Sequence, residues 1–392
     1  MKIIAVATLP PHQGGSAICN ALLLSGFAAA GHAVRVLSPF SAVDAASGDA
    51  FAAAHPEIAV TRFSVPFAEV SPNLPVSGEY RRVEREKINQ LLPQLIEQDR
   101  PDLVFMGRET FAWDVPDVAR HHAIACVLRT AGAMTIGLLQ GTLPEADVRH
   151  LVTQYYKADR IICPAEHLAA RLRATGLSNV TVIWNGVDTD RFAPRAKDPA
   201  LMRRWSLTDA DVVIAHVSNL KSLKRPLDMI DAAALAAHDS RAQYLVVGDG
   251  PLRQTMEDAC RERQLTERFR FAGWIDHDIM PAYLNLADIV VMPPEDEAQA
   301  RVYLETQSCG RVILASDIAA AREVIADGET GMLFRMGDAA DLAASMLRLV
   351  HDAELRVTIG RRARRRIAAH AMPTIIRAYL DVFAAVVARH RG

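Results

Sequence analysis

Short apolar runs alternate with longer amphipathic segments along most of the chain. The first series of runs starts with KIIAVAT at residues 2–8 and AVRVLS at residues 33–38, with a helical pattern between them. Short buried strands separated by helical patterns are typical of a parallel sheet that helices cover on both faces. The pattern therefore predicts an α/β fold built from doubly wound parallel sheets.

A second series of apolar runs follows a segment rich in turn-forming residues. It starts with DVVIAHVSN at residues 211–219 and ends with GMLF at residues 331–334. We interpret the turn-rich segment, residues 185–198, as a hinge between two domains, because 392 residues exceed one ordinary core. Ligands of doubly wound sheets bind at the carboxyl ends of the strands, so we expect a binding crevice there.

Charge and cysteine content exclude several classes of partner. The 44 basic and 46 acidic residues leave a formal net charge of −2, so no overall field favours nucleic acid. The five cysteines are scattered without a CxxC pair, which predicts neither a disulfide framework nor a zinc site. The cysteine pattern, a start without signal-peptide features and the lack of a long apolar stretch predict a cytoplasmic protein.

A run of arginines, RRARRR at residues 361–366, follows Gly360. The favoured interpretation is a solvated helix face whose arginines pair with nearby acids. A weak peripheral contact with an anionic membrane is the alternative. Pro373 lies beyond the run and is expected to kink or restart the helix.

Two loops of the second series carry candidate anion-binding groups. Gly248 and Gly250 follow a strand and precede a helix, where glycine permits close approach and a helix N-terminus favours negative charge. A simple tight turn is the alternative, and the missing continuation of the dinucleotide fingerprint argues against a nicotinamide-dependent oxidoreductase. The loop HVSNLKSLKRP, residues 216–226, offers Lys221, Lys224 and Arg225, which suit a pyrophosphate.

The segment PPEDEAQARVYLETQSCG, residues 293–310, contains four acids beyond a buried strand, of which Glu297 and Glu305 lie eight positions apart. Glu297 lies in the loop, and Glu305 lies in a short predicted helix, residues 302–310, that Gly310 closes as C-cap. Ionised carboxylates only accept hydrogen bonds, so the pair could receive the hydroxyls of two sugar rings. The alternative is a pair of surface acids without a ligand.

Taken together, these motifs resemble the retaining glycosyltransferases of family 4, which have the GT-B fold. The resemblance covers nearly the whole chain and is carried by residues 11–38, 158–176, 180–194, 246–251, 272–294 and the Glu-x7-Glu pair. It implies two Rossmann-like domains that face a central cleft. Residues 1–188 would bind the acceptor, residues 189–372 would bind the nucleotide-sugar donor, and the C-terminal helix, residues 373–392, would cross back to the N-terminal domain.

The same resemblance implies roles for individual residues. Lys224 would neutralise the pyrophosphate, Glu305 would bind the ribose hydroxyls and Glu297 the hydroxyls of the transferred sugar, so Glu297 and Lys224 are the catalytic candidates. Gly15 would let the N-terminal loop close over the phosphates. The remaining donor-side candidates are Asn219, Gly248, Gly250, Trp274, Ala298, Gln299, Ala300 and Arg301.

The chain departs from the family pattern at one residue and in two short segments. Asn219 stands where the family has an arginine, although similar loops that keep the lysine occur in the branch that glucosaminylates malate. Ala298-Gln299-Ala300 replaces a Gly-Phe-Gly turn, and Gln299 and Arg301 are candidates for reshaping the sugar pocket. The segment VLRTAG, residues 127–132, lacks a histidine that the family commonly carries.

The resemblance thus implies a retaining glycosyltransferase that moves a sugar from a nucleoside diphosphate to a hydroxyl-bearing acceptor. UDP is the expected nucleotide, and GDP is the alternative. Neither a metal ion nor another cofactor is expected, and the acceptor is a small molecule, a glycan or a lipid-linked compound. The alternative is a catalytically impaired homologue that binds a nucleotide sugar as a sensor or subunit. The acceptor-side candidates are Gln13, Tyr80, Arg108, Glu109 and Arg129.

Overall fold

The computed structural model describes residues 1–11, 14–41, 49–66, 78–130, 133–239 and 241–391. Its contacts divide the chain into two compact units. The N-terminal unit comprises Met1–Gly186 together with Met372–Gly392, and the C-terminal unit comprises Val187–Ala371. The chain passes from one unit to the other after Gly186 and after Ala371. The sequence prediction places these divisions after residues 188 and 372.

The described strands of the N-terminal unit form a seven-stranded parallel sheet in the order β3-β2-β1-β4-β5-β6-β7. The strands are β1 (Lys2–Val6), β2 (Ala33–Phe40), β3 (Ala59–Ser64), β4 (Leu103–Met106), β5 (Ala125–Arg129), β6 (Arg160–Cys163) and β7 (Val180–Val182). The described helices before the unit boundary are α1 (Gly15–Ala29), α2 (Ala50–Ala54), α3 (Gly78–Asp99), α4 (Val115–His121), α5 (Ala133–Gln140), α6 (Glu145–Lys157) and α7 (Glu166–Ala174).

The described strands of the C-terminal unit form a six-stranded parallel sheet in the order β10-β9-β8-β11-β12-β13. The strands are β8 (Val212–Val217), β9 (Ala242–Val247), β10 (Phe269–Gly273), β11 (Ile289–Met292), β12 (Val312–Ser316) and β13 (Met332–Phe334). The helices are α8 (Pro199–Arg204), α9 (Leu227–Leu235), α10 (Arg253–Glu262), α11 (Met280–Leu286), α12 (Arg301–Ser308), α13 (Ala319–Val324), α14 (Ala339–His351) and α15 (Ala353–Arg366).

The strand order explains why the apolar runs of the sequence are nearly continuous. Every residue of β4, β5, β11 and β12 is buried, because helices cover both faces of these central strands. In both sheets the strand order reverses beside the first strand, which is where doubly wound folds place their ligands. The prediction of two doubly wound parallel domains is confirmed.

The C-terminal helix α16 (Met372–Arg391) belongs to the N-terminal unit, as predicted. Phe383 of α16 packs against Phe27 of α1 and Phe105 of β4, with ring centroids 5.3 and 5.4 Å apart. Pro373 is the second residue of α16, where proline costs no helical hydrogen bond. None of the described helices is both long enough and apolar enough to cross a bilayer.

Helices α12 and α15 touch through backbone at two glycines. A Cβ on Gly360 of α15 would lie 2.0 Å from the carbonyl oxygen of Gly310, which follows α12 with a φ of +66°. Arg364, one turn further along α15, donates from Nη1 to Ser308 Oγ at 2.7 Å and from Nη2 to the Thr189 carbonyl oxygen at 2.9 Å. These contacts fix the back of α12, the helix that carries Glu305.

The helix α12 and the arginine run differ in detail from the sequence prediction. The helix starts at Arg301, one residue early, and Cys309 rather than Gly310 is its C-cap residue. Within the run, Arg364 turns inward to oxygen atoms of Ser308 and Thr189 rather than to acids. The other arginines of the run are exposed.

The glycine contact predicts that Gly360→Ala destabilises the protein by about 1–3 kcal/mol, because the added methyl would overlap a backbone oxygen. The higher helix propensity of alanine opposes this loss by at most about 1 kcal/mol. Urea unfolding measures the difference. Gly78→Ala is the control, since outside its chain neighbours and its own helix backbone no described atom lies within 4 Å of that Cβ position. Equal stability of the two variants would contradict the prediction.

Candidate functional site

The loop that follows β8 is held by a buried histidine that the sequence analysis did not single out. Nδ1 of His216 is 3.0 Å from the Val291 carbonyl oxygen, and Nε2 is 2.8 Å from Ser218 Oγ. Burial lowers the pKa of His216 to about 4, so the ring is neutral at pH 7. Because a carbonyl oxygen only accepts, Nδ1 carries the proton and Nε2 accepts from the Ser218 hydroxyl. Ser218 Oγ also accepts the Leu220 N–H at 3.1 Å, which fixes the start of the loop.

Gly248 brings the loops after β8, β9 and β10 together. Its φ is +122°, and a Cβ there would lie 1.8 Å from the carbonyl oxygen of Ser218. Its N–H donates to the Gly273 carbonyl oxygen at 2.8 Å. The sequence predicted close approach at this glycine, and the group that approaches is the backbone of a neighbouring loop. Glycine is therefore required here so that the loops after β8 and β9 can approach each other at the carboxyl ends of the strands.

Lys224 and Glu297 form the first ion pair of the site. Lys224 ends a short 3₁₀ turn, Ser222–Lys224, and the Leu223 carbonyl oxygen accepts the Glu295 N–H at 2.9 Å. This backbone bond joins the loop after β8 to the loop after β11. The Lys224 ammonium contacts Glu297 Oε1, and the two side chains are 20% and 13% exposed.

Burial lowers the pKa of Lys224 to about 8, and the charge of Lys221 acts in the same direction. The ammonium therefore remains protonated at pH 7, and contact with the Glu297 carboxylate favours the charged form. A cation of this kind, held rigidly and largely shielded from water, interacts strongly with a phosphate.

Glu305 lies at the centre of the second cluster. Arg301, one turn earlier on α12, donates to Glu305 Oε1 from Nη2 at 2.7 Å and from Nε at 3.2 Å. His277, on the loop after β10, places Nε2 2.9 Å from the same oxygen. A carboxylate oxygen only accepts, so this nitrogen of His277 carries the hydrogen.

The pKa of Glu305 reflects two opposing effects. Burial alone would raise the pKa, but the Arg301 charge and the His277 hydrogen bond outweigh it and lower the pKa to about 2. The carboxylate is therefore ionised at every physiological pH. The His277 ring also packs on Phe192, with centroids 5.2 Å apart, which fixes its orientation.

The loop between the two carboxylates is packed into the unit. The side chains of Ala298, Gln299 and Ala300 are all buried. Ala300 is the N-cap residue of α12 and belongs to the apolar cluster that includes Tyr303. The methyl of Ala300 thus contributes to the core rather than to an exposed surface.

The other predicted donor-side residues lie on different loops of the C-terminal unit, with one exception. Asn219 is partly buried on the loop after β8, and Gly250 follows β9 and donates its N–H to Asp249 Oδ1 at 2.8 Å. Trp274 directly follows β10 and is 41% exposed. The exception is Gly15, the first residue of α1 in the N-terminal unit.

Comparison with known proteins covers both units. Residues 198–366 match the family model for Glycosyl transferases group 1, and residues 13–191 match the model for Glycosyltransferase Family 4. The chain is a GT4-like glycosyltransferase homologue. The sequence resemblance to family 4 is therefore supported from both halves of the chain.

Curated relatives of this glycosyltransferase homologue match over part of their length. N-acetyl-alpha-D-glucosaminyl L-malate synthase of Bacillus anthracis is 27% identical over 47% of this chain and 48% of its own length. D-inositol 3-phosphate glycosyltransferase of Salinispora tropica is 29% identical over 71% of this chain and 61% of its own length. The chain thus spans about half to three-fifths of these relatives.

A solved structure agrees with the GT-B fold. Alr3699/HepE of Anabaena, in complex with UDP and glucose, superimposes with a TM-score of 0.77 at 19% identity. The match covers 98% of this chain and 100% of that chain. The predicted GT-B fold class is confirmed.

Two acceptor-side candidates of this GT-B homologue form contacts around α3. Tyr80 is buried on α3. Arg108 donates from Nη2 to Glu84 Oε1 at 3.0 Å, and its guanidinium lies 5.0 Å from the ring centroid of Phe111. A third candidate, Gln13, lies outside the described residues. An acceptor role for these residues stays a prediction.

The remaining two acceptor-side candidates are buried in the N-terminal unit. Glu109 accepts from Thr135 Oγ1 at 2.8 Å. Arg129 donates to the Gly107 carbonyl oxygen at 3.2 Å and to Asn185 Oδ1 at 3.0 Å. Arg129 thereby joins the ends of β4 and β5 to the segment after β7, which is a structural use of its guanidinium. A role in acceptor binding again stays a prediction.

The depressed pKa of Glu305 predicts a pH-dependent contribution to stability. A carboxyl whose folded pKa, about 2, lies below its ordinary 4.5 stabilises the fold fully above pH 4.5 and loses this contribution as the pH falls towards 2. The difference in unfolding free energy between the wild type and Glu305→Gln should therefore fall by about 1 kcal/mol from pH 7 to pH 3.5.

Urea unfolding at the two pH values measures this difference. The exposed Glu329 provides the control, because Glu329→Gln should differ from the wild type by the same small amount at both pH values. A wild-type advantage over Glu305→Gln that does not change with pH would contradict the assignment.

Proposed function

We propose that this protein transfers a sugar from a nucleoside diphosphate, with UDP as the expected nucleotide, to a hydroxyl group of an acceptor, with retention of anomeric configuration. The observation that carries the proposal is the pairing of two carboxylates, buried Glu305 and partly buried Glu297, with two cations, Arg301 and Lys224. Both pairs lie beyond the carboxyl end of β11, and the first also joins the loop after β8.

A nucleotide sugar has the complementary groups. Its ribose and sugar hydroxyls donate hydrogen bonds, and its phosphates accept them. Carboxylates beside cations match this pattern, because hydroxyls pair with the acids and phosphates with the bases. We assign the ribose hydroxyls to Glu305, the hydroxyls of the transferred sugar to Glu297 and the diphosphate to Lys224. The C-terminal unit is thus the donor-binding unit, and the N-terminal unit binds the acceptor.

The reaction needs stabilisation of charge rather than a protein nucleophile. The bond between the anomeric carbon and the diphosphate oxygen breaks, and an oxocarbenium-like centre develops. The acceptor oxygen attacks from the same face, and its proton passes to the departing phosphate oxygen. Lys224, held within the site, stabilises the negative charge that develops on the diphosphate. This chemistry is proposed to proceed without a metal ion.

Two observations support the choice of nucleotide and compartment. HepE, whose fold this chain shares, has been solved with UDP and glucose and with UDP-glucose. All five cysteines are buried free thiols, which agrees with a reducing compartment and a cytoplasmic reaction. The acceptor is proposed to be a small molecule, a glycan or a lipid-linked compound that bears a hydroxyl.

A thermal-shift screen against UDP, GDP, ADP and their sugars tests the donor assignment. Ligand at about 100 times its Kd should stabilise the protein by about 2.7 kcal/mol, so millimolar UDP-sugar should raise the melting temperature clearly. Stabilisation by GDP and not UDP would correct the nucleotide, and stabilisation by none would refute the proposal.

Two carboxylate variants should separate binding from turnover. Glu305→Ala removes an acceptor for the ribose and should weaken UDP binding about 10- to 100-fold. Glu297→Ala should leave UDP binding within a few-fold of wild type and lower turnover by about 100-fold or more. Isothermal titration with UDP and initial rates with the UDP-sugar measure both. Glu329→Ala is the exposed control in the same unit. Equal effects on UDP affinity would contradict the two roles.

Hydrolysis of the UDP-sugar without an acceptor should proceed slowly and at the same rate in EDTA as in magnesium. Proton NMR of the first sugar released should show the anomer of the donor. Dependence on magnesium would refute the metal-free mechanism, and the opposite anomer would refute retention. Donor binding without hydrolysis or transfer would instead indicate the impaired homologue that serves as a sensor or subunit.

A further inference from the structure

Three N–H donors converge on one oxygen of Glu305. Nε and Nη2 of Arg301 lie 3.2 and 2.7 Å from Oε1, and Nε2 of His277 lies 2.9 Å from it. Arg301 Nη2 is also 3.1 Å from His277 Nε2, so two donors crowd the same acceptor. An oxygen with two lone pairs cannot satisfy three donors equally well.

The opposite side of the same guanidinium carries donors that are not used. Arg301 Nη1 is buried and has no hydrogen-bond partner among the residues that the structure describes. The side chain as a whole is only 11% exposed. Leaving a charged donor buried and unpaired costs free energy, so this nitrogen is expected to serve an acceptor that the protein does not itself supply.

The position of Arg301 indicates which acceptor this is. Arg301 is the first residue of α12, where free backbone N–H groups and the helix dipole favour an anion. It follows Glu297, the partner of Lys224, by four residues, a separation of at most about 14 Å. The loop after β8 contributes a neutral amide at Asn219. Lys221 of the same loop already acts on Lys224 through its charge, and Arg301 would add a cation from α12.

We propose that Arg301 is a ligand of the donor's diphosphate and exchanges partners when the nucleotide binds. This inference rests on the proposed function. Ribose hydroxyls replace the guanidinium on Glu305, while His277 keeps its hydrogen bond to Oε1. The released guanidinium turns to the phosphate oxygens, which accept from Nη1 and Nη2 in the planar geometry that arginine favours. Each carboxylate of the site is thereby paired with a cation before binding and with hydroxyls after it.

A different role would explain the ion pair alone. Arg301 could act only as a positioning residue that holds Glu305 ionised and oriented for the ribose. Its loss would then weaken uridine and UDP by the same factor, because both carry the ribose. A direct ligand of the diphosphate affects UDP much more than uridine, so the ratio of the two losses separates the roles.

The experiment compares UDP and uridine binding to the wild type, Arg301→Met and Arg301→Lys by isothermal titration. We expect Arg301→Met to weaken UDP about 10- to 100-fold, as for loss of a charge-assisted hydrogen bond, and uridine by less than about threefold. Arg301→Lys should bind UDP more tightly than Arg301→Met, because lysine keeps the positive charge but lacks the planar guanidinium that binds two oxygens at once. Equal losses for UDP and uridine would overturn the proposal.

A second background covers the case in which Arg301→Met fails to fold because Glu305 loses its cation. In Glu305→Gln the carboxylate is gone, so loss of Arg301 no longer leaves a buried charge unpaired. Adding Arg301→Met to that variant should still weaken UDP at least about tenfold. No further loss would overturn the proposal.

The matched control is Arg263→Met. Arg263 is the C-cap residue of α10 and pairs with Asp231 of α9. In a doubly wound sheet this end of the helix lies opposite the carboxyl ends of the strands, so the substitution should leave UDP binding unchanged. Failure of the wild type to bind UDP, UDP-sugar or any other nucleotide would refute the proposed function itself. That outcome differs from wild-type UDP binding that is insensitive to Arg301, which overturns only this inference.

Discussion

Burying a carboxylate at the edge of a parallel sheet requires a cation beside it, and the candidate site is organised by this constraint. An unpaired buried carboxylate would take up a proton, whereas Glu305 stays ionised because Arg301 and His277 surround one of its oxygens. The same rule pairs Glu297 with Lys224. An acid held in this way keeps its charge without needing water, so its burial is compatible with the proposed binding of hydroxyls.

The rigidity of the surrounding backbone follows from contacts that leave no room for side chains. The carbonyl oxygen of Ser218 approaches Gly248 on one side of the site, and Gly310 approaches Gly360 behind α12. Neutral His216 completes the framework, because its two ring nitrogens join β8 to β11 and to the following loop without adding charge. The framework is thus held mainly by backbone contacts and neutral hydrogen bonds, to which Arg364 adds a charged donor behind α12.

Most of the fold and part of the site could be predicted from the sequence. Periodicity locates the strands, because fully buried parallel strands read as apolar runs, and the positions of Lys224 and Glu297 beyond β8 and β11 bring them to one edge. One of the two partners of Glu305, His277, could not be predicted in this way. His277 is 28 residues away and reaches Glu305 through the loop after β10, a contact that no local pattern encodes. Likewise, the backbone that approaches Gly248 belongs to a loop about thirty residues earlier, so its identity depends on strand order.

The alanines between the two acids bear on whether a donor fits the site. The resemblance to family 4 implies glycines at residues 298 and 300, so the methyl groups of this chain raise the question of whether they crowd a donor. In the structure both side chains are buried, and Ala300 packs in the apolar cluster beneath α12. A methyl that contributes to the core adds stability through burial and does not extend the surface that a ligand would meet. The more consequential residue of this segment is therefore Arg301, because it brings a positive charge and an unpaired donor, Nη1, to the start of the helix that carries Glu305.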